Sequence, residues 1–386
     1  MNDVKTALIL GGGVGGVVAA NTLRKLLPRQ HRIIVIDQED KHIFASSLLW
    51  VMIGMRRAEQ IVRPLSLLNR KGIEFVRGRI EKISPETKTV RVAGRELSGD
   101  AIVISLGAEL APEIIPGLND VGRNIYTLDG ASAIYVDLAA FRGGKIVILT
   151  TNPVYKCPAA PYEAAMLVES FCRKHGTRNK IEIALYTAEP GPMGTAGPKV
   201  SAAVRQIVES KGIKYYPSHQ VMEVDPTARK ISFSGGATAN FDLLFYVPPH
   251  RAPEVVKQAG LVSENGWGVV DHHTFQTKYQ GVYAIGDVVA VPLKMGKPLP
   301  KAGVFAHGQA EVVAHNIAHE WTGRQGEARS FDGHGLCFIE TGDHRAGIGS
   351  GNFYAEPAPA VAIKPPALRW HILKILFEKY WFWKWF

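Results

Sequence analysis

The chain of 386 residues has only three cysteines, Cys157, Cys172 and Cys337, and none of them has the spacing of metal ligands. Zinc and iron–sulfur centres are therefore not expected, because both need ligands clustered at short recurring intervals. Charge blocks, low-complexity tracts and repeats of solenoid period are also missing, which removes the signatures of a stacked-repeat scaffold or a biased tail. The net charge is +10, yet the lysines and arginines are scattered and no recognition motif accompanies them, so no nucleic-acid partner is expected. Such a surface suits anionic lipid headgroups and the steering of a small anion. The sequence opens directly into its first strand from Met1, without a charged-then-apolar stretch and cleavage site, so a removed leader is not expected.

The N-terminus, by contrast, is strongly patterned. Ala7-Leu8-Ile9-Leu10 is an apolar run ending in Gly11-Gly12-Gly13-Val14-Gly15-Gly16, and Gly11, Gly13 and Gly16 fit G-x-G-x-x-G. The first glycine permits the tight turn, the second lets backbone approach a pyrophosphate, and the third seats the next helix on the strand. A merely flexible glycine loop would give the same letters. Here a strand precedes it, a helical pattern over 17–27 follows, and a second strand over 32–36 ends at Asp37. An acid about 20 residues on suits a ribose hydroxyl pair.

Residues 277–287, Thr-Lys-Tyr-Gln-Gly-Val-Tyr-Ala-Ile-Gly-Asp, end a short strand in Gly286-Asp287. They resemble the motif by which two-domain flavin disulfide reductases hold the FAD ribityl chain, with Asp287 as the accepting carboxylate. An ordinary turn after a strand is the competing reading. Ala-Ile-Val-Ile-Ser-Leu-Gly over 101–107, ending at Gly107, resembles the third strand-to-glycine marker of that superfamily. With 46% hydrophobic residues the chain can build more than one core. The expected fold is α/β, with two Rossmann-like dinucleotide-binding domains. The FAD domain is discontinuous, at 1–112 and 270–330, around a second unit at 113–269, and 331–386 completes the chain. The crossings are proline-rich, at Ala111-Pro112 to Pro116-Gly117 and Val247-Pro248-Pro249.

A second nucleotide loop is missing. After a strand over 146–149 the chain continues Thr150-Thr151-Asn152-Pro153; it has no glycine, and Pro153 has no N–H for a phosphate. A nicotinamide nucleotide in the usual place is not expected. In its stead comes Cys157-Pro158-Ala159-Ala160-Pro161-Tyr162-Glu163, leading into a helix over 164–174. A cysteine near a helix N-terminus has its thiolate favoured by the dipole, and Lys156 adds a positive neighbour; a small buried packing cysteine is the alternative. Cys172 reads as a packing residue. Cys337 lies in a strand-like segment, Gly335-Leu336-Cys337-Phe338-Ile339-Glu340-Thr341-Gly342, where a core role is equally open.

The chain as a whole resembles the sulfide:quinone oxidoreductases. The resemblance runs through the glycine loop, Cys-Pro-Ala-Ala-Pro-Tyr-Glu, Gly286-Asp287, Pro300-Lys301-Ala302-Gly303, Cys337-Phe338 and Phe377-Glu378-Lys379-Tyr380. It implies that Cys157 and Cys337 form a redox-active pair on one flavin face, Cys337 nearer the ring, with quinone on the other face. Hydrosulfide would attack the disulfide or a sulfur-bridged form of the pair, and the electrons would pass through noncovalent FAD to quinone. Glu163 is the nominated proton carrier, although an acid in a first helical turn also serves the dipole. Lys301, before a helix over 304–320, resembles the family lysine beside the flavin pyrimidine ring, where a cation would favour reduced flavin; a surface lysine is the other reading. Phe338, Phe377 and Tyr380 are the quinone-contact candidates. The implied partners are sulfide, a membrane quinone and lipid headgroups, with a homo-oligomer as the assembly.

The C-terminus holds four of the seven tryptophans in 367–386, after Pro365-Pro366. Ile372, Ile375, Leu376, Lys379 and Trp383 fall on neighbouring helical positions, and basic residues stand among aromatics that favour membrane interfaces. Five basic or potentially basic side chains argue against a spanning helix. An amphipathic, monotopic membrane-binding segment on the cell membrane is expected; a terminal core or dimer helix is the alternative. The chain departs from the family in two places. Residues 108–156 hold no further cysteine, and Gly-Pro-Met-Gly-Thr-Ala-Gly stands where some members carry a histidine. The related alternatives are a flavocytochrome c sulfide dehydrogenase flavoprotein subunit, a type II NADH:quinone oxidoreductase-like enzyme and a non-catalytic flavin-binding protein.

Overall fold

A computed structural model describes residues 4–323 and 327–386; Met1 lies outside the described residues. The first sheet has five parallel strands in the spatial order Val282–Ala284, Ala101–Ile104, Thr6–Leu10, Arg32–Asp37 and Glu74–Arg77. Its central strands read as unbroken apolar runs because both faces are covered: Ala7 to Leu10 and Ile102 to Ile104 are all fully buried. Helix Val14–Leu26 leaves the first strand through the glycine loop and packs against Gly303–Thr322. Gly11 sits at φ +102°, and a Cβ on Gly16 would lie 1.8 Å from the Gly11 carbonyl oxygen. Those two glycines let the helix approach the strand end.

The second sheet repeats the design with Arg123–Asn124, Leu243–Val247, Gly144–Thr150, Ile181–Tyr186 and Lys214–Tyr216, again all parallel. Both proline-rich crossings meet in a small antiparallel ribbon, Glu109–Leu110 against His250–Arg251. The helix after the cysteine segment runs Ala160–Lys174, four residues longer at its start than its apolar pattern suggested. Pro161 fits that first turn because its missing N–H would have had no intrahelical acceptor.

Three antiparallel strands, His334–Gly342, Arg345–Asn352 and Ala360–Ala367, form a third layer, followed by the terminal helix Leu368–Trp385. That helix is amphipathic in an inverted sense. Lys374 and Glu378 are 4% and 1% exposed, whereas Leu376 and Trp383 on the other side are 57% and 78% exposed. Its C-terminal end is pinned to the first Rossmann unit, where Lys71 Nζ donates to the Lys384 carbonyl at 2.8 Å and Asn21 Nδ2 to that of Trp385 at 3.4 Å. No helix among the described residues is long and apolar enough to cross a membrane.

Candidate active site

Four of the five parallel-strand ends of the first sheet build a cradle. A Cβ on Gly13 or on Gly107, which has φ +68°, would meet nothing within 4 Å, so the backbone there faces open space. Asp37 is held in place by two N–H donors, Gly12 at 2.6 Å and Glu39 at 2.9 Å. On the far side, Gly286 (φ +77°) donates its N–H to Gln309 Oε1 at 2.7 Å and turns the chain into Asp287. Asp287 Oδ1 is buried and has no hydrogen-bond partner. Burial pushes that carboxyl up, against the pull of Lys156 and Lys301. An orphaned buried acceptor beside an open glycine cradle fits a polyhydroxy chain such as the FAD ribityl group.

Lys301 is not a surface lysine: it is buried, and its Nζ donates to the carbonyls of Asp287 and Val289, both at 2.8 Å. The ammonium also lies 3.4 Å from the centroid of the Trp267 ring, a cation–π contact. Burial lowers its pKa to about 7 despite the neighbouring Asp287. The lysine thus shapes the Gly-Asp loop and remains able to change charge near neutral pH.

Where a second dinucleotide loop would open, the space is filled from within. Glu189 follows the strand Ile181–Tyr186 of the second sheet and accepts from Tyr162 OH at 2.8 Å, Thr150 Oγ1 at 2.9 Å and Tyr155 OH. It is buried, which raises its pKa, and these hydroxyls partly offset the cost. A carboxylate satisfied by three internal hydroxyls has no need of a ribose. Sequence inspection did not find this cluster, whose members come from two strand ends and a helix.

Cys157 adopts φ +51°, a left-handed conformation uncommon outside glycine. The strain is held by neighbours: Cys157 N–H donates to the Lys301 carbonyl at 2.6 Å, and Tyr126 OH donates to the Lys156 carbonyl at 2.6 Å. The cysteine is thereby fastened to the cofactor-side lysine loop. Burial raises its thiol well above the ordinary range, and Cys337 and Glu163 raise it further. The expected activation by helix end and lysine is therefore outweighed. An Ala160 backbone contact does favour the thiolate, but Lys156 is itself buried and its charge is drawn chiefly to Asp287.

Cys337 occupies the strand His334–Gly342 opposite Gly349. Burial pushes its thiol up to about 12, with Glu163 adding to the rise. The structure thus brings Cys157, Cys337 and Glu163 within electrostatic reach of one another. Cys172 lies apart, buried in the helix beside Thr177.

Glu163 opens onto a network that the sequence did not reveal. Its Oε1 accepts the Glu340 N–H at 2.8 Å and Lys374 Nζ at 3.4 Å. Lys374 also lies 3.9 Å from Glu340 Oε1, and Glu340 faces His371 Nδ1 at 3.0 Å. All four side chains are buried. Burial raises the Glu163 pKa against the pull of Lys374. Burial also disfavours the lysine charge, but Glu163 and Glu340 together outweigh it and raise the Lys374 pKa. One ammonium is shared by two buried carboxylates. Lys374 and His371 are thus not headgroup-facing residues, as their place among aromatics suggested, because their stripe of the terminal helix turns inward.

Of the quinone-contact candidates, Phe338 and Phe377 come together with ring centroids 6.4 Å apart, and Phe44 approaches Phe377 at 5.8 Å. Tyr380 does not join them; it is half exposed beside Trp383, on the outer side of the helix. Among the described residues no group of histidines, cysteines and acids could hold a metal ion.

Residues 5–310 match the model of the family described as pyridine nucleotide-disulphide oxidoreductase. The sulfide-quinone reductase of Aquifex aeolicus is 27% identical over 399 aligned residues, covering 98% of this chain and 91% of that protein. The mitochondrial sulfide:quinone oxidoreductase of Mus musculus is 25% identical over 366 residues, covering 91% and 78%. A crystal structure of the Aquifex aeolicus sulfide:quinone oxidoreductase superposes with a TM-score of 0.89 at 26% identity, covering 99% of this chain and 91% of that one. With a cradle fitted to FAD and a cysteine segment where a nicotinamide loop would stand, the chain belongs to the pyridine nucleotide-disulphide oxidoreductase family, on its sulfide:quinone oxidoreductase branch.

Proposed function

We propose that this protein is an FAD-dependent sulfide:quinone oxidoreductase in which Cys157 and Cys337 receive sulfide and quinone is the electron acceptor. The observation that carries the reading is the convergence of the two cysteines and Glu163 beside the Lys301–Asp287 loop, with the second nucleotide pocket filled by Glu189. We assign the FAD domain to 1–112 and 270–330, the second Rossmann-like domain to 113–269, and the redox strand and membrane-facing helix to 331–386.

Gly11, Gly13, Gly16, Asp37 and Gly107 would hold the nucleotide portion, and Gly286, Asp287 and Lys301 the flavin portion. The chemistry that FAD supplies when bound is acceptance of an electron pair from sulfur and its delivery to quinone. In the oxidised pair, hydrosulfide breaks the Cys–Cys sulfur bond, leaving a persulfide on one cysteine and a thiolate on the other. Glu163 takes up the hydrosulfide proton. Phe338 and Phe377 line the quinone side, with Tyr380 at its outer margin.

Anaerobic addition of sulfide to the flavin-loaded protein in mild detergent should bleach the visible flavin bands, and a short-chain quinone should restore them. Bleaching by NADH with silence toward sulfide would reject this reading in favour of a dehydrogenase.

The outward stripe of the terminal helix, Ile372, Leu376 and Trp383 with Lys379, is the membrane contact in this reading, making the protein peripheral to the cell membrane. Each exposed large apolar side chain can contribute about 1.5–3 kcal/mol on transfer from water. Leu376→Glu with Trp383→Glu should therefore weaken co-sedimentation with anionic vesicles by at least about tenfold, leaving the flavin spectrum unchanged. Undiminished binding would place the contact elsewhere.

A further inference from the structure

Sulfide oxidation by quinone is not balanced in protons. Hydrosulfide yields zero-valent sulfur, one proton and two electrons, while a quinone taking up those electrons needs two protons to become a quinol. One proton must therefore enter from solution on each turnover. The residues that could admit it are buried behind the third sheet and the terminal helix, whose outer stripe is apolar.

A continuous set of titratable side chains crosses that wall. Glu163 and Glu340 flank Lys374 at 3.4 and 3.9 Å, and Glu340 meets His371 at 3.0 Å. The His371 ring lies 5.4 Å, centroid to centroid, from that of His344, which is exposed in the hairpin turn between His334–Gly342 and Arg345–Asn352. That separation is one that a water or a ring rotation can bridge. His344 Nε2 is 3.3 Å from Lys174 Nζ, and Asp343 is its sequence neighbour. The other wall beside His371 is the edge-on ring of Trp50, which has no acid–base role. Glu340 has its second function in its backbone, since its N–H holds Glu163; among the described residues its side chain is paired with Lys374 and His371.

We infer that His344, His371 and Glu340 form a proton inlet that carries the solvent proton to the Lys374–Glu163 pair, where it joins the one released from hydrosulfide. This rests on the proposed reaction. It assigns His371 and Glu340 as positioning and relay groups rather than as residues in contact with substrate. It also places the solvent end of the inlet at the exposed hairpin turn rather than on the apolar outer stripe of the terminal helix.

The test follows reoxidation by a short-chain quinone in the detergent-solubilised, flavin-loaded protein, reduced either with sulfide or with dithionite, in H2O and D2O. A pH-indicating dye reports proton uptake. Glu340→Gln and His371→Gln should slow reoxidation and dye response together by at least about tenfold. The defect should widen as pH rises and free protons become scarce, and it should carry a larger solvent isotope effect than the parent. His344→Ala should be slowed in dilute buffer and restored by added imidazole, a rescue that a purely structural role would not produce. Reoxidation at the parent rate in flavin-loaded Glu340→Gln, or slowing indifferent to pH, deuterium and imidazole, would overturn the inlet. The dithionite arm separates this from the parent reading: if sulfide fails to reduce the unaltered protein, that reading has failed, while the inlet is still tested by the chemically reduced flavin.

Discussion

Alanine at either Cys157 or Cys337 is expected to lower sulfide-dependent flavin reduction by at least about 10³-fold, since each removes a covalent sulfur acceptor that the other cannot replace. Both variants should retain FAD. The contact that fastens Cys157 to Lys301 is made by backbone N–H and survives the substitution, and the unpartnered Asp287 oxygen is untouched. Alanine also accepts the left-handed conformation at 157 no worse than cysteine does. Cys172→Ala, whose thiol lies apart from the pair, should reduce at the parent rate. Rapid-scan spectra after anaerobic mixing decide the matter. Near-normal bleaching in either single variant would separate the cysteines from the reaction. Burial holds both thiols far above the ordinary range, and Glu163 lies within electrostatic reach of both, so in the proposed reaction the thiolate released by sulfide attack is short-lived unless that carboxyl hands on the proton it took up.

Lys374→Met should cost the fold more than any surface change, about 3–5 kcal/mol, because it strands two buried carboxylates without their shared cation. Lys374 bridges Glu163 and Glu340, and all three are nearly inaccessible to solvent. The expected reading is a fall of about 5 °C in the thermal midpoint of flavin release. The pH dependence has a definite sign. Glu163 already has a raised pKa in the folded protein, so its protonated form is favoured by folding. That stability is fully present below the unfolded pKa and is lost as pH rises through the folded one. Removing the lysine raises the folded pKa further, so the variant should approach the parent in acid and diverge from it toward neutral and alkaline pH. A second substitution, Glu163→Gln, should recover part of the loss. A midpoint shift that is independent of pH would mean that the missing side chain matters for packing alone.

Elements whose logic is local could be read from the letters. The glycine loop, the strand ending at Asp37 and the Gly286-Asp287 turn each fit within a few residues, and the structure places them at adjoining strand ends of one sheet. That Ile372, Leu376 and Trp383 form one stripe also follows from helical spacing. The missed features depend on distance in sequence. Glu340 donates to a side chain 177 positions away and faces a histidine 31 positions ahead. Spacing in the terminal helix shows two stripes but not which one turns inward, and burying the charged stripe reverses the usual arrangement. Cys157 illustrates another limit: its neighbours in sequence favour a thiolate, but its neighbours in space remove the water that a thiolate needs.

The inward stripe of the terminal helix carries a practical consequence. The same eighteen residues that present an oily exterior also contribute His371, Lys374 and Glu378 to the interior, where Glu378 takes Ser47 Oγ at 2.5 Å and Arg56 at 3.0 Å. Cutting the helix away to remove its exposed apolar side chains would pull out the ammonium between two buried acids along with them. A less apolar surface has to be made by recolouring the outer stripe in place, one exposed side chain at a time, with the inner stripe left as it is.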